Sequence, residues 1–251
     1  MRTHWLDTAT GHALLEEESR QVAGAFENIF GDQFLQIGAW GDPGIFRRHA
    51  RTRRYAVVAA RPDAGVDFVS LPEDLAVPTD SIDAVFLPHL LETTRDPHAV
   101  LREVDRILRP DGHVVVAGFN AWGWWGLRHY LSGRRFPQGG VRLVSEYRLR
   151  DWLNLLDYYV EPPLFHHMTA PLYRAYGPGK REGKYSGDDG NSAVPEVRPR
   201  NPRSCRWNPL ASCYLLVARK EVFTITQIRP AFRRRKQLVG GLVNPTTRNA
   251  A

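Results

Sequence analysis

The stretch that decides the fold is Ser81–Asn120, SIDAVFLPHLLETTRDPHAVLREVDRILRPDGHVVVAGFN. Its first apolar run, Ile82 to Leu87, is too short for a buried helix and ends at Pro88, so it predicts a strand covered on both faces. Asp96-Pro97 then predicts a helix that begins with an N-cap and a proline in its first turn. The apolar residues that follow recur at helical spacing: Val100, Leu101, Val104, Ile107 and Leu108.

A second strand follows this helix. Pro110-Asp111-Gly112 predicts the end of the helix and a turn, and Val114 to Ala117 forms another buried apolar run. Strand, helix and strand within one short span make a βαβ unit, whose two strands are parallel and joined by a right-handed crossover. The sequence therefore predicts an α/β fold.

Composition narrows the class of protein. The chain has 251 residues, 43% of them hydrophobic, which is enough for one α/β domain with a sizeable core. The formal charge of +7 lies almost entirely in the tail after Glu221, so it does not indicate a nucleic-acid-binding domain. Cys205 and Cys213 lack the paired Cys/His spacing of a zinc site, so no metal is expected, and a reducing cytoplasm is the simple interpretation.

The N-terminal residues do not have the pattern of a secretion signal. His4, Asp7 and Glu16 to Glu18 stand where a signal peptide needs an apolar core, and no apolar run approaches membrane-spanning length. Apolar residues between Leu14 and Phe30 instead predict an amphipathic helix that ends at Gly31. We expect residues 1–33 to form a helical cap before the main domain.

The Ser81–Asn120 segment is similar to the central part of class I S-adenosylmethionine-dependent methyltransferases, particularly the type 11 group. In that group an Asp-containing strand leads to a His/Leu-rich loop and then to an "LREV.R.L.P.G" helix and turn. The continuation "GFN…WGWWGLR" resembles a bacterial subgroup whose glycine loop is often degenerate. The resemblance covers roughly residues 5–170 and 210–220, and it implies a doubly wound, mostly parallel sheet with helices on both faces and S-adenosylmethionine as the cofactor.

The resemblance places a cofactor loop after the first strand, Phe34 to Gly38. The family's pattern is acidic–x–Gly–x–Gly–x–Gly, and this chain has Gln36 in place of the acid, keeps Gly38 and has Trp40 on the second glycine. A shifted glycine spacing survives at Gly38, Gly41 and Gly44, and glycines let the backbone approach a ligand closely. Two interpretations of Trp40 remain open: its ring stacks over a ligand, or it fills the gap where a cofactor would have been.

Further cofactor positions fall on the next two strands. The second strand, Tyr55 to Ala60, ends without the Asp or Glu that the family uses to accept hydrogen bonds from the ribose. The adenine-contacting Asp of the family falls on Leu71, after the third strand, Val66 to Ser70, and Glu73 or Asp74 is an alternative. With Gln36, three polar contacts are missing, each worth ~1–3 kcal/mol. By resemblance, cofactor-binding residues are Gly38, Trp40, Gly41, Leu71, Pro72 and Pro88.

The reaction centre is expected at the carboxyl end of the fourth strand, where ligands of open α/β sheets bind. His89 is the candidate catalytic residue and Glu92 is a second polar candidate there. The alternative for His89 is a satisfied loop histidine. The tryptophan-rich segment Trp122–Trp125 favours an apolar or aromatic acceptor; a partner, a membrane interface or plain packing are the other interpretations.

Three further expectations concern the rest of the chain. The basic run Arg47 to Arg54 is interpreted as a solvated helix face. A helix from Trp152 to Val160, a strand from Leu164 to Met168 and a last strand from Ala211 to Arg219 complete the domain, 34–220. His166 and His167 lie on opposite faces of a strand and are not expected to share a metal ion.

Two segments are expected to lie outside the core. Residues 177–209 are rich in Gly, Pro, Ser, Asp and Arg, which predicts a flexible insertion, and residues 221–251 predict a basic disordered tail. The basic cluster at 229–236 predicts weak contact with RNA or anionic lipid. The function indicated is methyl transfer to a small-molecule acceptor in the cytoplasm, and the alternative is a catalytically inactive binding or regulatory module with the same fold.

Overall fold

The fold was analysed in a computed structural model, which describes residues 4–42, 44–123, 126, 142–166 and 211–221. The predicted insertion at 177–209 lies outside these residues, as do Trp124, Trp125, Cys205 and the tail beyond Glu221. The helices are a 3-10 turn at His4–Asp7, α1 (Ala9–Phe26), α2 (Gly44–Arg47), α3 (Pro97–Ile107) and α4 (Glu146–Leu155). None of the described helices is long and apolar enough to cross a membrane.

Eight strands in the described residues form one mixed sheet. They are β1 (Phe30–Ile37), β2 (Arg51–Ala59), β3 (Phe68–Val69), β4 (Ile82–Pro88), β5 (Leu108–Phe119), β6 (Tyr158–Val160), β7 (Leu164–His166) and β8 (Cys213–Lys220). The order is β3-β2-β1-β4-β5-β8-β6, and β7 also pairs with β8. The first five strands are parallel to one another, whereas β8 runs antiparallel to β5, β6 and β7.

Two apolar clusters cover the two faces of the sheet, as a doubly wound fold requires. On one face α3 and α4 pack through Val100, Leu101, Val104, Leu149 and Leu153, all almost fully buried. On the other face α1 packs against β1 and β4. The residues that meet there are Leu14, Val22, Phe26, Phe34 and Phe86. The predicted α/β fold with helices on both faces is confirmed.

The βαβ unit has the predicted form, with one difference. Asp96 caps α3 by accepting a hydrogen bond from the Ala99 N–H at 3.0 Å. The chain enters β5 directly after α3, however, without leaving the sheet at Pro110-Asp111-Gly112. Four residues, 109–112, lie opposite Asp83 alone in the pairing of β4 with β5, and Asp111 has φ +62°. The residues predicted to form a turn therefore lie in an irregular bulge within the strand.

Several predicted boundaries were wrong. Helix α1 ends at Phe26, and Phe30 opens β1 because it pairs with Arg51. Residues Arg51 to Arg54 are therefore strand, not a helix face. The third strand is limited to the two residues that pair with β2. Tyr159 and Val160 belong to β6, because the chain turns at Asp157, whose φ is +61°.

Candidate active site

The strand order reverses between β1 and β4, and open α/β sheets bind ligands at such a point. Gly38 follows β1 with φ +103°, a conformation that favours glycine. A Cβ at this position would lie 3.4 Å from Leu90 Cδ1 and 3.9 Å from the Pro88 carbonyl oxygen. Gly38 and the Pro88–Leu90 segment therefore lie in close contact, and we call the sheet edge where they meet the switch crevice.

Gln36 stabilises the glycine turn from within the sheet. Its Nε2 donates to the Gly38 carbonyl at 2.8 Å, and its Oε1 accepts from the Tyr55 hydroxyl at 2.5 Å. The side chain is fully buried. Gln36, which stands at the family's acidic position, therefore has both its amide nitrogen and its amide oxygen in hydrogen bonds within the protein.

Trp40 lies on the β4–β5 side of the switch crevice. Its ring centroid is 4.3 Å from that of His89, which follows β4, and 6.1 Å from that of Phe119, which ends β5. The indole N–H donates to Glu18 Oε2 at 2.8 Å, and the residue is only 6% exposed. The ring therefore fills space between α1 and the ends of β4 and β5, away from β2. Gly41 has φ +59° and lies against Leu15 of α1.

His89 is held by two carboxylates. Its Nε2 lies 2.6 Å from Glu18 Oε1 and its Nδ1 lies 3.1 Å from Glu92 Oε2. The backbone at His89 has φ +48°, an uncommon conformation for a residue with a side chain. The imidazole also packs between Trp40 and Phe119, with its centroid 4.2 Å from that of Phe119. The sequence-predicted pair of His89 and Glu92 is thus brought together at the end of β4.

The pKa values of His89 and Glu18 depend on the charges of their neighbours. Burial alone would lower the pKa of His89, but the neighbouring carboxylates of Glu18 and Glu92 outweigh it and raise the pKa to about 9. Burial would likewise raise the pKa of Glu18, but the contact with His89 lowers it. The ring is therefore an imidazolium at neutral pH, with both N–H groups donating to carboxylates.

Glu92 connects this group to β5, because its Oε1 accepts a hydrogen bond from the Phe119 backbone N–H. Glu18, His89 and Glu92 are each at most 2% exposed. Glu18 was not predicted as a site residue, although its spacing with Leu15 and Val22 puts an acid on the apolar face of α1. Such a position is a sign of a buried, paired carboxylate.

The β2 side of the switch crevice is more open and less polar. Leu71 is 59% exposed, Pro72 and Pro88 are buried, and Ala60 at the end of β2 is exposed. Two of the nearby acids are used elsewhere: Glu73 accepts from the Thr94 hydroxyl, and Asp67 Oδ2 accepts from the Val57 N–H and from Arg47. Asp74 is exposed, and Ala60, the residue directly after β2, supplies no carboxylate for a ribose.

The chain is similar in sequence to known proteins. Residues 49–116 match the family model described as a methyltransferase domain, of the type 11 group. The uncharacterized protein YafS of Escherichia coli (strain K12) is 30% identical over 157 residues, which are 62% of this chain and 65% of the relative. The chain thus spans less than two thirds of that relative's length.

Solved structures give the same fold. A SAM-dependent methyltransferase from Thermotoga maritima aligns with a TM-score of 0.59 and 16% identity, covering 87% of this chain and 93% of that chain. One from Archaeoglobus fulgidus aligns with a TM-score of 0.55 and 15% identity, covering 83% and 94%. At 15–16% identity, these likenesses show the fold.

Proposed function

We propose that this chain, which carries a type 11 methyltransferase domain within a class I methyltransferase fold, transfers a methyl group from S-adenosylmethionine to an apolar or aromatic small molecule. The observation that carries the proposal is the switch crevice. Gly38 faces Leu90 across the point where the strand order reverses, next to the segment that matches the family model. The exposed Trp122 after β5 supports an apolar acceptor.

The cofactor would be held by the residues that border the crevice. Gly38, Trp40 and Gly41 form the turn after β1, Leu71 and Pro72 border the open β2 side, and Pro88 ends β4. The bound cofactor supplies an already activated methyl group, so the protein's task is to bring the acceptor close in the correct orientation. The residues at the crevice act by position and by excluding water.

His89 is the proposed catalytic residue. Both of its ring nitrogens are occupied by carboxylates, and its pKa of about 9 keeps it charged at neutral pH. It can accept a proton from an acceptor only after giving up its own proton to Glu18 or Glu92. Orientation of the acceptor requires no such transfer, so we assign most of the catalytic effect to proximity.

The proposal is tested by restoring a missing contact. Ala60→Glu places a carboxylate at the exposed end of β2, where the family binds the ribose hydroxyls. We expect calorimetric titration with S-adenosylmethionine to give about tenfold tighter binding than the wild type, because hydrogen bonds to charged groups are worth ~1.5–3 kcal/mol. Ala64→Glu, also exposed and four residues further on, is the matched control and should leave the affinity unchanged.

A second candidate is an inactive methyltransferase-fold module that binds a partner. The buried contacts favour it, because Trp40, Glu18, His89 and Glu92 satisfy one another without a ligand. If neither the wild type nor Ala60→Glu binds at millimolar S-adenosylmethionine, the enzyme proposal fails and this module is favoured. If the wild type binds and Ala60→Glu does not change the affinity, the cofactor is present but its ribose lies elsewhere.

A further inference from the structure

Three side chains that can bind a metal ion meet on the α1 side of the candidate site, where Glu18 also contacts His89. Glu18 comes from α1, His166 from β7 and Cys213 from the start of β8. One ligand atom from each lies within 4.8 Å of the other two. The three residues are 2%, 4% and 0% exposed, so the cluster is closed to bulk water.

His166 provides an independent indication that a ligand belongs there. Neither of its ring nitrogens has a hydrogen-bond partner among the described residues, although both are fully buried. Buried polar groups in folded proteins are almost always partnered, and each exception needs an explanation. A neutral imidazole has one nitrogen with a lone pair that a metal ion can bind.

The types of ligand also suit a cation. A carboxylate and a thiol together supply two negative charges once a coordinated metal ion has displaced the thiol proton. A divalent ion would therefore balance the Glu18 carboxylate and the Cys213 thiolate.

We propose that Glu18, His166 and Cys213 form a buried Zn²⁺ site that ties α1 to β7 and β8. A thiolate with an imidazole and a carboxylate favours zinc, since magnesium and calcium prefer oxygen ligands alone. Bonds of roughly 2.0–2.3 Å in a tetrahedron place ligand atoms about 3.5 Å apart, which small rotations of these side chains achieve. Each Glu18 oxygen already accepts one hydrogen bond and keeps a lone pair for the ion.

Metal content is measured without an activity assay, so the test does not depend on the proposed methyl transfer. The full chain, purified without a metal-affinity step and stripped with a chelator, is dialysed against limiting zinc and its metal content measured. We expect about one zinc per chain for the wild type, and less than about a tenth for Cys213→Ala and for His166→Phe, which keeps an aromatic ring. Cys205→Ser and His98→Gln, which change the other cysteine and an exposed histidine, should retain the zinc.

Cobalt substitution identifies the ligand directly. The wild type with Co²⁺ should show thiolate-to-metal charge-transfer absorption that is lost in Cys213→Ala and kept in Cys205→Ser. Zinc at about 100 times its dissociation constant should raise the melting temperature by roughly 5–10 °C in the wild type only. Absence of stoichiometric zinc in the folded wild type, or its retention in a folded Cys213→Ala, would overturn the proposal.

Discussion

The two ends of the parallel strands are both held by carboxylates, but in different surroundings. At the amino end, Asp83 accepts hydrogen bonds from the backbone N–H groups of Asp32 and Gln33 and from the Arg109 guanidinium at 2.6 Å. The side chain of Asp83 is 19% exposed and that of Arg109 is 41% exposed. At the carboxyl end, the side chains of Glu18, His89 and Glu92 are only 1–2% exposed.

Because of this difference in exposure, removing a hydrogen-bond partner should cost less stability at the amino end of the strands than at the carboxyl end. Water can reach the amino end and hydrate a group whose partner is removed, so the cost of a substitution there is limited. The carboxyl end excludes water, and a charge left alone there has no substitute partner. Substitutions of Glu18, Asp83 and Arg53 distinguish the two environments.

The largest loss of stability is expected for Glu18→Ala. It removes the closest counterion of His89 and the acceptor of the Trp40 indole bond in a buried environment. We expect the free energy of unfolding to fall by about 3–5 kcal/mol, measured by urea denaturation with a chelator present. Glu16→Ala, exposed on the same helix, should change it by less than about 0.5 kcal/mol. Equal effects of the two variants would contradict the comparison.

An intermediate, pH-dependent loss is expected for Asp83→Asn. Burial would raise the pKa of Asp83, but hydrogen bonds from Gln33, Arg109 and Asp32 lower it below its ordinary value of 3.8. The charged form therefore stabilises the folded state above that pH, by about 1–2 kcal/mol at pH 7. The difference between wild type and variant should shrink as the pH falls from about 4 through the lowered pKa. Urea midpoints that differ by the same amount at pH 7 and pH 3 would refute this.

The smallest effect is expected for Arg53→Ala. Its guanidinium lies 3.6 Å from the Asp32 carboxylate, and both side chains are largely exposed, at 85% and 58%. Surface pairs of this kind contribute little because water and salt screen them. The urea midpoint should be unchanged within experimental error. A clear loss would show that exposure alone does not rank the contacts at the amino end.

The sequence predicted those parts of the fold that are determined by residues close together along the chain. The period of Val100, Leu101 and Val104, the Asp96 cap and the apolar runs on either side of α3 gave the βαβ unit, because each follows from local spacing. The resemblance implied a doubly wound, mostly parallel sheet with helices on both faces. His89 and Glu92 could be paired because both follow the same strand.

Contacts between segments that are far apart in the chain could not be predicted from local spacing. Glu18 lies 71 residues from His89 in the chain, and His166 and Cys213 come from two further strands. The pairing of β7 with β8 places His166 opposite Cys213, and the packing of α1 against these two strands brings Glu18 to them. Arg51 to Arg54 were mistaken for a helix face for the same reason, since their strand is defined by β1, which precedes them in the chain. Site residues Gly38, Trp40, Gly41, Leu71, Pro72, Pro88 and His89 stay predictions.

The position of β8 has a consequence for synthesis of the chain. This strand is the last one described, yet it lies between β5 and the β6–β7 edge and forms ladders with all three. Until it leaves the ribosome, the backbone groups of β5 along that edge are without their native neighbour. A nascent chain that stops before residue 213 therefore exposes an apolar strand edge to other unfinished chains, and the sheet can close only after Cys213–Lys220 has emerged from the ribosome.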